Sequence, residues 1–132
     1  MPDFNEAVPG VPELIAWFGY WPSFHDAEVL ELSLLSTGSS TLRLRTWELT
    51  NEVNEEGYFR CVKHVIVSFI LEKVTAIHLD GFKPQSIISE LLFKQTAEGY
   101  ELTLEGCYGV EGTITAELVR IEFRPELAAD VP

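Results

Sequence analysis

The chain has 132 residues, 46% of them hydrophobic and 23% charged, and 9 Lys and Arg against 21 Asp and Glu leave a formal charge of −12. That length fits one domain, and the ordinary apolar share predicts a packed core that needs no metal or disulfide. The charge argues against general phosphate-backbone binding, where cations supply most of the affinity, and against an anionic membrane surface.

Residues 1–10 hold Pro2 and Pro9-Gly10 and read as an extended arm. Pro12 to Phe18 is the best helix candidate. Pro suits a first turn, Glu13 favours the positive end of the dipole, and Gly19 is placed to cap. Leu14, Trp17, Phe18 and Trp21 share one apolar face. After Phe24 the period becomes two. Leu30, Leu32 and Leu34 alternate with Val29, Glu31 and Ser33, then Thr37 to Ser40 turns into Leu42 to Leu49. Asn51 to Gly57 reads as a solvated loop.

The run Val62 to Leu71 carries apolar residues on both parities and predicts a central strand covered on both faces. A second short strand, Val74 to Leu79, follows, and Asp80 to Pro84 breaks the run. Residues 86–96 fit a strand or a short helix, and the context favours strand. Tyr100 to Leu104 alternates cleanly. Gly106 to Gly112 reads as a Gly-punctuated connection, with hairpin turns at its glycines. The last strand runs from Thr113 to Phe123, with a parity shift near Leu118 and Val119 that suggests a bulge. Pro125 ends it, and 126–132 is a loose tail. The sum is a mainly β single domain, 1–132, with one short N-terminal helix. About seven antiparallel strands are expected to form a sandwich or open barrel.

No run of ~18 apolar residues suggests a transmembrane helix, and the first ten residues carry no signal-like positive region. A cytoplasmic chain is expected. Cys61 and Cys107 then read as buried free thiols.

Trp17 to Glu28 holds five of the chain's fifteen aromatics. It reads either as a packed helix-to-strand corner or as a recognition surface, since Trp and Tyr are common interface anchors. His25-Asp26 invites a catalytic reading. In an extended strand, however, neighbours point to opposite faces, and neither a nucleophile elbow nor an oxyanion hole accompanies Ser23. Asp26 is expected to accept backbone N–H bonds and His25 to bridge the corner. His78 and Asp80 share a strand face, yet nothing local supplies a third metal ligand. No catalytic residue, metal or cofactor is expected. Acid placement says more. Residues 1–42 contain six acids and no Lys or Arg, and residues 95–119 contain five and none. Such zones serve solubility or steer a basic partner. The expected binding residues are Trp17, Tyr20, Trp21, His25, Asp26 and Glu28 at the aromatic corner, with Tyr108 and Glu111 in the second zone.

The stretch Phe18-Gly-Tyr-Trp-Pro-Ser-Phe-His-Asp-Ala-Glu-Val29 resembles the N-terminal signature of the immunity protein 50 family, small bacterial proteins found with polymorphic toxin systems. Gly81-Phe82 and Cys107-Tyr108-Gly109 are also similar. The resemblance implies a non-catalytic protector that binds and blocks a cognate toxin. If that toxin acts on nucleic acid, its cleft is basic and an acidic inhibitor suits it. The alternative is a small-ligand or enzymatic β domain with its pocket near Trp21 and His25.

Overall fold

The computed structural model describes residues 8–53, 55, 57 and 59–126, without the side chains of 49–53 and 59–62. One helix, α1 (Val11–Phe18), precedes six strands: β1 (Glu28–Ser33), β2 (Ser39–Val53), β3 (Phe59–Asp80), β4 (Ile87–Thr96), β5 (Gly99–Tyr108) and β6 (Glu111–Pro125). Every pairing is antiparallel, and the sheet closes on itself in the order β1-β2-β3-β6-β5-β4.

The helix follows its caps. A proline stands in its first turn, and Gly19, at φ 105, donates its N–H to the Ile15 carbonyl at 2.8 Å. Gly10 enters the helix at φ 94, and a Cβ there would run into the Ile121 carbonyl. Only glycine permits that approach, and it lets Ile121 N–H reach the Pro9 carbonyl at 2.8 Å. Val11, Leu14 and Phe18 are buried, and Trp17 leans on Phe123 of β6 at 6.0 Å between ring centroids.

The core fills the barrel with alternate residues: Leu42 and Leu44, Val65 to Leu71 in steps of two, Leu91 and Phe93, Leu102 and Leu104, Ile114 and Ala116. Burying each large apolar side chain is worth roughly 1.5–3 kcal/mol. Phe24, Phe69, Phe93 and Trp21 meet edge to face or tilted at 5.7–6.3 Å.

The aromatic corner closes the barrel. β1 and β4 share a single register pair, Glu28 with Ile87. Around it, Val29 N–H donates to Ser86 O, Ile88 N–H to Ala27 O and Leu91 N–H to Ser23 O. Phe24 (φ 62) and Asp26 (φ 61) both take left-handed conformations. The chain therefore turns twice, putting the Phe24 ring inside and Ala27, with no exposed surface, against β4.

Several expectations change. The segments read as two strands, 62–71 and 74–79, are one strand of 22 residues. Lys73 (φ 58) and a ladder irregularity between Val74 and Ala76 bend it without ending its pairing, so six strands replace seven. The parity shift of β6 is present, because Ala116 and Val119 are both buried, but the extra residue lies on the facing strand. In β1, the register slips between Val29 and Glu31, so Val29 is buried and Leu30 is 39% exposed. Asn51–Val53 belong to β2, and Gly106 and Gly112 lie within strands, leaving residues 109–110 as the β5–β6 connection. At Gly112 a Cβ would strike the His78 carbonyl, so glycine is needed for β6 to lie against β3.

At Ile70 the outer face of β3 is covered by neighbouring side chains and not by a second layer, while His78 and Asp80 further along it are exposed. Ile70 is 8% exposed between Thr41 and Arg120. Residues 86–96 are strand. Cys107 is exposed and not buried, because β5 faces solvent from Glu105 to Tyr108. Of the expected arm 1–10, Val8 is buried and the Pro9 carbonyl is bonded to Ile121, and of the expected loose tail 126–132, Glu126 is held by Arg45. Residues 1–7 and 127–132 and the Cys61 side chain lie outside the described residues.

Candidate functional site

Cross-strand pairing sets the outer charges in rows, because directly opposed residues share a face. On one wall Glu90 of β4 stands opposite Glu105 of β5, and Asp80 of β3 opposite Glu111 of β6. Glu111 lies against Gly106, the residue after Glu105. The result is a row of carboxylates, Glu90-Glu105-Glu111-Asp80, across four adjacent strands. The next row is uncharged at its centre: Leu92, Thr103, Thr113 and His78. A third holds Lys94, Glu101, Thr115 and Ala76, with Lys94 3.4 Å from Glu101. Among the described residues no cation pairs with the four carboxylates of the first row.

Aromatics rim this wall. Tyr108 is 53% and Phe82 58% exposed, and the Lys83 ammonium lies 5.3 Å from the Tyr108 ring centre. The loop carrying Phe82 is held by buried Ser86. Its hydroxyl donates to the Lys83 carbonyl at 2.7 Å and accepts from the N–H groups of Lys83 and Val110 at 3.2 Å.

The opposite wall carries the arginines. Its rows read Glu28-Arg45-Ile66-Arg124 and Glu31-Arg43-Ser68-Glu122. Arg43 meets Glu31 at 2.7 Å, and Arg120 lies 3.9 Å from Glu72. Arg45 grips the Glu126 carboxylate through two hydrogen bonds, of 2.9 and 3.2 Å, while Glu126's side chain is only 1% exposed. Bonding to Glu126, opposed by burial, holds Arg45 all the more firmly protonated. A cleft of about 500 Å³ runs between Arg43 and Arg124.

The expected binding residues divide among four places. Tyr20, His25 and Asp26 border a hollow of about 350 Å³ with Trp47 and Glu48. There Tyr20 donates to Glu48 at 2.8 Å. Burial first, and then this carboxylate, pushes its pKa from 10.0 up to about 12. His25 and Asp26 sit in a turn and not in extended chain, so their side chains do meet, at 3.4 Å. His25 Nδ1 lies 3.0 Å from the Ser89 carbonyl and bridges to β4, whereas Asp26 takes His25 in place of backbone N–H groups. Glu28 and Tyr108 come together with Arg45 around a second hollow, of about 710 Å³. Glu111 belongs to the carboxylate row. Trp17 and Trp21 are half-buried against the core. His78 faces out of the wall beside Thr113, well apart from the corner that holds His25, and no group of three ligands that could hold a metal occurs among the described residues.

The acids of the two base-free zones do not form one surface, because β4 separates β1 from β5, although Glu28 and Tyr108 approach each other at the end of β4. Glu28 and Glu31 of the first are matched by arginines. Asp80 and Glu90 complete the acidic row, although both fall in the stretch that holds most of the basic residues. Strand register is the signal that finds them.

A family model described as immunity protein 50 matches residues 12–125. No curated protein and no solved structure matches the chain.

Proposed function

The chain belongs to the immunity protein 50 family, and from that premise we propose that it is a non-catalytic inhibitor that binds a cognate bacterial toxin through its acidic wall. The carboxylate row carries this reading. Like charges directly opposed across strands are destabilising, on the scale of the roughly 0.2–1 kcal/mol that favourable cross-strand pairs contribute, and among the described residues nothing uses the Glu90–Glu105 or Asp80–Glu111 juxtaposition. An arrangement that weakens folding without structural return points to a partner. The partner's chemistry follows: a lysine- or arginine-rich surface, such as the cleft of a toxin that acts on nucleic acid. Tyr108 and Phe82 supply apolar anchors at the rim, and Glu111 belongs to the same surface. Tyr20, His25 and Asp26 flank a separate hollow and serve as its periphery.

The protein acts in the cytoplasm of the bacterium that makes the toxin; no helix among the described residues is long and apolar enough to cross a membrane. Co-expression with the toxin domain encoded beside it tests the reading. Restored growth and a complex that co-purifies are expected. Unrelieved toxicity with no complex would contradict it.

One observation favours the alternative, a small ligand in the hollow at His25, namely its polar lining of Tyr20, His25, Asp26 and Glu48 beside Trp47. A change in tryptophan fluorescence with saturable small-molecule binding, lost in Asp26→Ala, would support it over the acidic wall.

A further inference from the structure

The barrel is stepped. Pairing between β2 and β3 stops at Ser39 with Glu72, but β3 runs on to Asp80, paired only with β6 on its other side. Among the described residues no strand, and no backbone hydrogen bond from a loop, meets the β2 side of Val74–Asp80. Thr75, Ile77, His78 and Asp80 are exposed, Ile77 by 42% although its partner Ile114 is buried. A hollow of about 430 Å³ lies at the step, lined by Leu35, the turn to Ser39, and Glu72 to Val74.

We infer that this edge of β3 takes up an extended basic segment of the toxin as an added strand, a statement that rests on the toxin-binding reading above. Open edges present a row of unpaired N–H and C=O groups, which is a template for another strand. The ladder of β3 is regular from Ala76 to Asp80, a run of about 17 Å. An added strand lies beside Asp80 and becomes the fifth position of the row Glu90-Glu105-Glu111-Asp80. A cation there lies beside Asp80 at the end of the row, with Glu111 one strand further on, and an apolar side chain on the strand's other face covers Ile77. Charge also sets the occupant. Two copies of this chain, each at −12, repel one another, and the irregularity between Val74 and Ala76 twists the start of the edge away from flat self-pairing.

Hydrogen exchange of the chain alone and with the neighbouring toxin domain tests this directly. Bound toxin is expected to slow exchange at least tenfold in peptides spanning 74–80. Ile77→Lys, at an exposed site, is expected to weaken binding at least tenfold while the chain unfolds at the same denaturant concentration. Tight binding with unchanged exchange at 74–80 overturns the added strand and leaves the toxin-binding reading standing. No binding by the unaltered chain overturns both. A dimer of the free chain that Ile77→Lys dissociates assigns the edge to a second copy and also overturns it.

Discussion

The two walls of this barrel solve the same problem in opposite ways. On the arginine wall, Arg43, Arg45 and Arg120 have carboxylates within 4.0 Å, and Ile70, directly opposite Arg120, is buried. On the acidic wall, four carboxylates stand in a row with no cation paired to them among the described residues. One wall uses charge to hold the fold, and the other holds charge at the fold's expense. The same side-chain chemistry is therefore structural or available for a partner according to the register that places it, so net charge alone does not locate a surface.

The largest expected effect lies on the arginine wall. Arg45→Met leaves the Glu126 carboxylate, 1% exposed, without its bidentate partner. Breaking a buried pair in this way costs about 3–5 kcal/mol, read as a lower urea midpoint. A loss below about 1 kcal/mol would erase the contrast between the walls. On the acidic wall the sign reverses. Glu105→Gln relieves the direct opposition to Glu90 and is expected to raise stability by roughly 0.2–1 kcal/mol. Destabilisation there would mean the row is structural after all.

The smallest effect concerns Tyr20, whose ring is half exposed and whose hydroxyl donates to Glu48. Its pKa is raised from 10.0 to about 12, so the neutral form is favoured in the folded state. The stabilisation is fully present below pH 10 and is lost as pH rises through about 12. Melting of the unaltered chain and Tyr20→Phe at pH 9 and at successively higher pH checks this. The unaltered chain's advantage should shrink across that window, and a constant difference would contradict the hydrogen bond.

Local features were legible in the residues. Pro12 and Gly19 bound the helix, and the alternation around Leu102 and Leu104 marks β5, because caps and period-two burial act over a few positions. The expected strands 62–71 and 74–79 meet at the Glu72-Lys73 pair. Its physical consequence is a bend, since one left-handed residue redirects a strand without removing its hydrogen bonds. The aromatic corner was visible as a cluster, but its work in closing the barrel depends on β4, more than sixty positions later in the chain. The acidic wall was half legible. Counting acids along the chain found Glu105 and Glu111 and assigned Asp80 and Glu90 to a basic stretch, because only pairing between distant strands brings the four together. Cys107 read as buried from its strand setting. Solvent reaches it because no second layer covers β5 there.

The central claim is that the acidic wall binds the toxin. Its most direct test is the affinity of the neighbouring toxin domain for the unaltered chain and for Asp80→Asn/Glu90→Gln/Glu105→Gln/Glu111→Gln, each titrated from low to high salt. The unaltered chain should bind tightly and weaken steeply as salt rises. The fourfold variant should bind about a hundredfold more weakly at low salt, a difference of about 2.7 kcal/mol, and respond little to salt. A fourfold variant that binds like the unaltered chain at every salt concentration would contradict the account.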